Sequence, residues 1–446
     1  MTTAETPPPS IAVIGSGVSG LSAAWLMSKA ARVTLYEKDD RLGGHANTVL
    51  PEGAPPVDTG FIVYNALNYP NLVAMFAHLG VKTLPTDMSF AVSLDGGRVE
   101  YGGVGLAPIV GRVTNLFRPR FWRMLGDLVR FYRDAPGDID ACEEPLVTLG
   151  EYLDSKGYSE AFLNDHILPQ AAAIWSAPSA EIRDFPAATF IRFFHNHGLL
   201  KLTGRPVWRT VEGGSRNYVA KLLADFNGEV RKGCAVTHVR RHADGVDITD
   251  ALGETRRYDR VVIATHGDQA LKLLDDPTPD EQRLLGAFRY SRNLAVLHSD
   301  RSLMPRRKVT WSAWNYVGKR GAGPDRDLCV TYWMNLLQTL PGPRELFLTL
   351  NPVHPPALDT VMATEVYEHP IFDAPAIRAQ QEVWKLQGAR RTWYCGAHFG
   401  SGFHEDGLQA GLAAAEMAAG VRRPWTVEGE SDRIVLPPTP ALGEAA

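Results

Sequence analysis

The stretch IAVIGSGVSG at residues 11–20 decides the fold of this chain. Its four apolar residues, 11–14, are typical of a buried parallel strand, and three glycines follow at G-x-G-x-x-G spacing. The first glycine allows a tight turn, the second lets a pyrophosphate approach the backbone, and the third lets the next helix pack closely. The dipole of that helix favours phosphate at its start. Five residues are therefore expected to cradle a dinucleotide: Gly15, Ser16, Gly17, Ser19 and Gly20.

A second apolar strand, residues 33–36, ends in Glu37, about 17 residues after Gly20. An acid at this distance accepts hydrogen bonds from a ribose 2′-OH, which favours an adenosine dinucleotide without a 2′-phosphate. A G-x-G-x-x-G motif alone is weak evidence, because glycine turns also serve packing. The strand, the helix and the acid together favour dinucleotide binding.

Residues 37–48, EKDDRLGGHANT, distinguish FAD from NAD. They resemble the E-x(3)-R-x-G-G segment of the glutathione-reductase-2 branch of flavoproteins, which includes amine oxidases, phytoene-type desaturases and protoporphyrinogen oxidase. In that branch the Arg and the paired glycines wrap the FAD phosphates and ribityl chain. The resemblance implies cofactor contacts from Lys38, Arg41, Gly43, Gly44 and His45. His45 stands where the branch usually has Arg, and a covalent histidyl-flavin there stays an open alternative.

Three later segments are similar to the same branch. VDTGF, residues 57–61, resembles the strand beside the flavin; CAVTHV at 234–239 and YDRVVIAT at 258–265 resemble returning strands of the FAD domain. GAHFGSGFHEDGL at 396–408 resembles the loop and helix start under the flavin pyrimidine. Ala397 replaces an acid that relatives often carry, so that role is expected to pass to Asp406 or to backbone. The implied cofactor residues are Thr59, Gly60, Phe61, Val236, Ala264, Thr265, Gly396, Ala397, Asp406, Gly407 and Leu408.

Five motifs, GGHANT, DTGFIVYN, FHNHG, WRTVEGGS and GFHEDGL, make the chain similar to a bacterial group of amine-oxidase-like NAD/FAD-binding proteins. Members of this group resemble enzymes that desaturate or isomerise lipid acyl chains, and they are associated with cyclopropane-synthase-like lipid methylases. The resemblance implies FAD as the cofactor, a lipid or fatty-acyl substrate, and a lipid methylase as a partner.

Composition narrows the class further. The 446 residues are 45% hydrophobic with a formal charge of −4, which argues against a nucleic-acid partner. The four cysteines lack C-x-x-C spacing, so we expect neither a metal site nor a disulfide framework. The first ten residues lack an apolar signal core, and no run of 18 apolar residues occurs. We expect a cytoplasmic protein, peripheral on the inner membrane face if its substrate is a membrane lipid.

The FAD motifs divide the chain into interleaved segments. We expect an α/β fold in which a Rossmann-like FAD domain of the glutathione-reductase-2 type is interleaved with a mixed α+β substrate domain. The FAD domain comprises 10–65, 205–270 and 390–422. A helical substrate segment at 66–204 has helical patterns at 71–79, 117–132 and 160–174. An antiparallel-sheet segment at 271–389 has strand-like runs at 293–298, 308–316, 327–334 and 345–351. Residues 423–446, rich in Pro, Glu and Ala, are expected to form a loose tail.

One segment stands apart from these motifs. Residues 111–134 carry six arginines against two acids, interleaved with aromatic and aliphatic residues. A basic amphipathic helix of this kind is typical of a membrane-surface element. An ordinary helix with paired arginines and buried aromatics fits the sequence equally well, and the two interpretations stay open.

The catalytic residues are the least determined part. Hydride transfer from an acyl chain to flavin N5 needs little from side chains beyond a group that takes a proton. The candidates are Tyr64, His195, His197, His404 and Glu405. The function that we expect is FAD-dependent desaturation of a methylated or unsaturated acyl group. A fatty-acid double-bond isomerase, a soluble amine oxidase and a non-catalytic flavin-binding scaffold remain alternatives.

Overall fold

The computed structural model describes residues 7–102, 106–143, 146–175, 179–201, 204–319 and 329–437. The strands are β1 (Ser10–Ile14), β2 (Arg32–Tyr36), β3 (Thr48–Val49), β4 (Val57–Asp58), β5 (Val63–Asn65), β6 (Thr83–Thr86), β7 (Phe90–Leu94), β8 (Val99–Gly102), β9 (Trp208–Val211), β10 (Glu229–Arg231), β11 (Val236–Arg241), β12 (Val246–Asp250), β13 (Thr255–Tyr258), β14 (Arg260–Ile263), β15 (Arg289–His298), β16 (Trp314–Gly318), β17 (Val330–Trp333), β18 (Phe347–Leu350), β19 (Val361–Ile371) and β20 (Thr392–Tyr394). The α-helices are α1 (Val18–Met27), α2 (Pro70–Leu79), α3 (Leu106–Val110), α4 (Pro119–Asp134), α5 (Leu149–Ser155), α6 (Glu160–Phe162), α7 (Leu168–Trp175), α8 (Ser179–Arg183), α9 (Ala187–Asn196), α10 (Arg216–Ala224), α11 (Gly267–Leu273), α12 (Pro279–Leu285), α13 (Met334–Leu337), α14 (Ala374–Gln380) and α15 (His404–Ala419).

A parallel sheet forms the centre of the nucleotide-binding half. Its order is β10-β2-β1-β14-β20, and each neighbouring pair runs parallel. The apolar run at 11–14 is β1, and its residues are nearly inaccessible because strands flank it and helices cover it. The strands come from three distant parts of the chain, so the sheet joins the segments that carry the FAD motifs. The α/β fold class is as predicted.

Two helices pack face to face beside this sheet. All ten residues of α1 are buried, because α15 lies against it. A Cβ at Gly411 would lie 2.2 Å from the carbonyl oxygen of Ser19, and one at Gly407 would lie 2.9 Å from Ser19 Oγ. Glycine at both positions therefore allows the two backbones to approach closely. This contact brings the start of α15 beside the glycine turn after β1.

A seven-stranded sheet forms the wall of the second domain. Its order is β19-β15-β18-β17-β16-β7-β8, antiparallel except where β16 runs parallel to β7. Strands β7 and β8 belong to the segment that the sequence analysis described as helical, so 66–204 contributes to the sheet as well. The run at 308–316 is strand only from Trp314, since Lys308–Thr310 is a short 3-10 turn. Residues 327–328 of another predicted run lie outside the described residues.

A helical lobe covers one side of this sheet. Helices α4 to α9 share a core of aromatic rings that includes Phe131, Phe162 and Phe190. A π-helical turn, Leu163–Ile167, joins α6 to α7, and Thr148 and Glu151 form a capping box at the start of α5. Within the described ranges, no helix is both long and apolar enough to cross a membrane.

The predicted loose tail is wrong for residues 423–437. Arg423 is buried and pairs with Glu416, while Trp425 stacks on Trp25 at 5.9 Å between ring centroids. Arg433 reaches Asp406, with 3.0 Å between Nε and Oδ1. Composition did not reveal this packing, because the anchoring residues are few among many Pro, Glu and Ala residues. Residues 438–446 lie outside the described part of the chain.

Candidate functional site

The glycine turn after β1 has the shape that a pyrophosphate needs. Gly15 has a φ of +100°, a conformation that side-chain-bearing residues rarely adopt. A Cβ at Gly20 would lie 1.9 Å from the carbonyl oxygen of Gly15, so α1 packs against the turn with no room for a side chain. Around Gly17, by contrast, a Cβ would meet no described atom within 4 Å. Gly17 is also the N-cap of α1, and no side chain caps its first turn.

Glu37 lies at the edge of this turn. Its carboxylate accepts hydrogen bonds from Ser16 N at 2.9 Å, from Ser16 Oγ at 2.5 Å and from Asp39 N at 3.0 Å. Glu37 therefore holds the turn as well as lying at the end of β2, where a ribose is expected. Lys38 is exposed and pairs with Asp39, so a cofactor contact from Lys38 stays a prediction.

The paired glycines close over the turn. Arg41 donates from Nη1 to the carbonyl oxygen of Gly44 at 2.7 Å, and Gly43 N donates to the carbonyl oxygen of Ser16 at 3.0 Å. A Cβ at Gly44 would lie 2.9 Å from the Cα of Gly17. The double glycine thus lets the second loop lie directly against the phosphate turn.

A cavity of about 340 Å³ runs from this turn into the interface between the two domains. The cofactor residues predicted from the sequence that line it are Gly17, Ser19, His45, Thr59, Gly60, Phe61, Ala264, Thr265, Gly396 and Ala397. They come from five separate motifs, and the fold brings them to one wall.

The residues of this wall fit FAD. Open space over Gly17, uncapped N–H groups at the start of α1 and Glu37 at the end of β2 match the phosphate and ribose needs of a dinucleotide. The cavity continues past them along Gly60 and Gly396, where a ring system can lie against bare backbone. The individual contacts with the cofactor stay predictions.

Beyond this wall the cavity is lined by apolar and aromatic side chains. They come from the seven-stranded sheet, the sheet β5-β9-β6, the helical lobe and neighbouring loops. They include Ile62, Val63, Met88, Phe90, Ile174, Trp175, Phe193, Leu199, Trp208, Trp314, Tyr332, Leu350, Phe372 and Phe403. Among the described lining residues, Glu368 is the one acid and there is no lysine or arginine. Glu368 Oε2 lies 3.4 Å from His266 Nδ1, and Glu368 Oε1 lies 3.8 Å from Arg292 Nε.

Two of the predicted catalytic histidines lie on this cavity and are neutral. His404 stacks on Phe61 at 3.7 Å, and its Nε2 lies 2.7 Å from the hydroxyl of Tyr218. Burial lowers the pKa of His404 to about 3 and that of His197 to about 3. His197 Nδ1 bonds to the carbonyl oxygen of Phe193 at 2.9 Å. At neutral pH both rings therefore serve as packing and hydrogen-bonding groups and are weak bases.

The structure places three other catalytic candidates away from the cavity. His195 is exposed on α9, because neighbouring helical positions point in different directions. Tyr64 is buried against Tyr69 and Phe76. Glu405 accepts hydrogen bonds from the backbone N–H groups of residues 71 and 72, so it caps α2. The prediction of catalytic roles for these residues is corrected.

Predicted cofactor residues near the start of α15 also face elsewhere. Asp406 accepts a hydrogen bond from Phe403 N at 2.7 Å and pairs with Arg433, so it does not replace the missing acid at 397. Gly407 packs against α1, and Leu408 is fully buried in the core. Val236 begins β11 and does not line the cavity, nor do Gly15, Ser16 and Gly20.

Sequence reasoning missed many residues of the cavity, among them His266, Tyr290, Tyr367, His369 and His398. His266 stacks on Tyr290 at 4.1 Å, and His398 follows Ala397. Tyr367 and His369 come from β19, and their ring centroids lie 5.0 and 5.4 Å from the ring centroid of His45. The polar residues of β19 were the available signal, but they do not say which sheet face lines a cavity.

Comparison with known proteins identifies a family. A family model for flavin containing amine oxidoreductases matches residues 18–298. The chain is 22% identical over 325 residues to pig amine oxidase [flavin-containing] A, covering 69% of this chain and 58% of that enzyme. It is 37% identical to rice polyamine oxidase 4 over 90 residues, or 20% of this chain and 18% of that protein. The chain thus spans little more than half the length of the first relative and less of the second.

Solved structures share the fold. A redesigned putrescine oxidase superposes with a TM-score of 0.67 at 14% identity, covering 93% of this chain and 99% of that one. A CLA-producing fatty acid isomerase from P. acnes gives 0.66 at 16% identity, covering 92% and 97%. At such identities the likeness concerns the fold alone.

Gly17 and Gly20 have different surroundings, so alanine at the two positions is expected to have different effects. Gly17→Ala is expected to fold normally but to bind FAD about tenfold more weakly, because a methyl group would occupy the phosphate position and cost roughly one charge-assisted hydrogen bond. Gly20→Ala is expected to lower stability by roughly 1–3 kcal/mol, because its Cβ meets backbone. Thermal unfolding and FAD titration of the two variants separate these effects. Equal stability losses in both would contradict the assignment.

Proposed function

The chain belongs to the flavin-containing amine oxidoreductase family and is therefore an FAD oxidoreductase; we propose that it desaturates the acyl chain of a lipid. The observation that carries this proposal is the apolar lining of the cavity beyond the flavin wall. When bound, FAD supplies a two-electron acceptor for a hydride. The substrate class is then set by the side chains that remain.

Those side chains favour an uncharged, extended group inside the cavity, such as an acyl chain. Aromatic and aliphatic groups from distant parts of the chain line the cavity, and Glu368, the one acid among the described lining residues, lies beside His266 and Arg292. A buried cation or carboxylate would lose its hydration without a partner among the described apolar lining residues, and such a loss costs several kcal/mol. Methylene groups instead gain about 0.8 kcal/mol each on leaving water.

The neutral histidines limit how the chain handles protons. Burial raises the pKa of Tyr218 above its usual range, so its hydroxyl keeps its proton and can donate to His404 Nε2. In that arrangement the neutral His404 ring carries its proton on Nδ1. His404 is thereby held as a stacked, neutral ring, and its low basicity favours a reaction that leaves no stable positive charge on the protein.

Two alternatives rest on specific observations. Glu368 is a lining carboxylate that an amine could approach, and the relatives named above include amine oxidases. Double-bond isomerisation would use the same apolar lining, and one solved structure with this fold is that of a fatty acid isomerase. Substrate trials with an acyl chain, an amine and a conjugable diene distinguish the three.

Narrowing the cavity tests the acyl proposal. Ile174→Trp places a larger side chain on the apolar wall and is expected to weaken binding of long acyl chains about tenfold or more, since overpacking costs roughly 1–3 kcal/mol. FAD content should not change. Leu294→Trp, on an exposed position of β15, is the control. The measurement is displacement of a fluorescent fatty acid from the FAD-loaded protein. Unchanged acyl binding in Ile174→Trp would contradict the proposal.

We also propose that the enzyme docks on anionic membrane through the surface around α4. Large apolar side chains are exposed there, with Phe117 at 81% and Trp122 at 54%. Trp122 Nε1 donates to the carbonyl oxygen of Leu116 at 2.8 Å, which links the turn Val113–Phe117 to α4 as one surface. Val113 and Ile109 extend it.

The arginines of this surface divide into two groups. Arg120 pairs with the buried Asp165 at 2.7 Å and Arg130 with Asp127 at 2.9 Å, so these two have structural partners. Arg112 and Arg123 have no side-chain partner among the described residues, and they adjoin the exposed Val113 and Trp122 in the chain. Cations at the edge of an apolar patch complement anionic head groups.

Vesicle binding tests the membrane proposal. Wild-type protein is expected to bind phosphatidylglycerol-containing vesicles better than phosphatidylcholine vesicles, and salt should weaken this binding. Phe117→Asp should bind at least about tenfold more weakly, and Arg112→Gln with Arg123→Gln about thirtyfold, at about 1 kcal/mol per arginine. Leu358→Asp, at an 89% exposed site elsewhere, is the matched control. Equal loss in the control, or no vesicle binding at low salt, would argue for a purely structural helix.

A further inference from the structure

We propose that His369 is a hydrogen-bond donor of the cavity, fixed in that role by the side chains of Asn293 and Asn351. Its ligand is an acceptor oxygen or nitrogen, either on the flavin ring system or on the substrate. The hydrogen bonds that orient His369 are the same whichever substrate the protein uses, so this role goes beyond the proposed function.

A chain of hydrogen bonds fixes the direction of each amide. The backbone N–H of Leu294 donates to Asn351 Oδ1 at 2.8 Å, and a backbone N–H can only donate. The Asn351 amide is therefore oriented with Nδ2 towards Asn293, where it donates to Oδ1 at 2.8 Å. This leaves Asn293 Nδ2 facing His369 Nδ1 at 3.0 Å. His369 Nδ1 must accept, so the proton of the neutral ring is on Nε2.

The backbone supports this arrangement. In the pairing of β15 with β19, Asn293 lies opposite Tyr367 and Ser291 lies opposite His369, so these side chains share one face of the sheet. Asn351 follows β18 with a φ of +48°, a left-handed conformation that asparagine tolerates better than most residues. Asn351, the first side chain in this series of hydrogen bonds, is thus held in an uncommon backbone conformation. This fits a functional role for the orientation of its amide.

The remaining nitrogen of His369 faces the ligand space. His369 lines the cavity, and no described residue bonds to its Nε2, whereas the Nε2 atoms of His197 and His398 are enclosed in the protein. The neighbouring Tyr367 hydroxyl is already bonded to Thr59 at 2.7 Å. His369 therefore presents the N–H that a ligand acceptor can use at this point of the wall. Burial lowers the pKa of His369 to about 4, which keeps the ring in the neutral form.

Asn293→Asp tests the proposal with almost no change in shape. An aspartate still accepts from Asn351, but its second oxygen accepts from His369, which moves the ring proton to Nδ1 and removes the donor at Nε2. In FAD-loaded protein, ¹⁵N NMR of His369 is expected to show Nε2–H in the wild type and Nδ1–H in the variant. Asn335→Asp, on α13 outside the cavity lining, is the matched control.

Two binding measurements identify the acceptor. If it belongs to the flavin, Asn293→Asp and His369→Phe should weaken FAD binding to the apoprotein about tenfold, and His369→Gln should restore most of it by keeping a donor. If it belongs to the substrate, FAD binding stays constant and binding of decanoate to the holoenzyme weakens instead. A wild-type ring protonated on Nδ1, or no change in either affinity, would overturn the proposal. Weakened FAD binding in a protein that does not bind decanoate would count against the acyl proposal alone.

Discussion

The close contact between α1 and α15 is the constraint on which the site depends. Glycines at 407 and 411 let the start of α15 approach Ser19, within the first turn of α1. This contact joins the phosphate turn near the beginning of the chain to the Gly396–Phe403 loop near its end, and both line one cavity. Any side chain at these glycines would push the loop away from the turn. Arg433 adds a second restraint by pairing with Asp406 inside the same helix start.

The second determinant of the site is the scarcity of charged side chains in the cavity lining, where Glu368 is the one acid among the described residues. Its histidines are held in neutral form by burial, and three of them have one ring nitrogen bonded to a protein partner: His404 to Tyr218, His197 to Phe193 and His369 to Asn293. The aromatic groups of the helical lobe and the sheet then form the rest of the wall. Such a cavity binds through apolar contact and a few directed hydrogen bonds, so shape and chain length discriminate between ligands more than charge does.

Local sequence was sufficient to predict the nucleotide-binding half. The glycine spacing, the strand before it and Glu37 are set by backbone requirements that appear in consecutive residues. Side-chain direction was the main source of error. His404, Glu405 and Asp406 are adjacent in sequence, yet successive positions on a helix point about 100° apart, so one faces the cavity and two face the protein. His369 lies on β19, and which face of a strand lines a cavity is decided by long-range pairing that no local pattern encodes.

We propose that this protein, with FAD bound, acts on an acyl chain. The most direct measurement is mass spectrometry of a lipid extract incubated with the FAD-loaded protein, with the flavin absorbance followed in the same sample. We expect the flavin absorbance to bleach and a lipid product two hydrogens lighter than its precursor to appear. The lost hydrogens should come from an acyl chain. An unaltered lipid profile, with flavin bleaching on addition of an amine instead, would contradict the proposal.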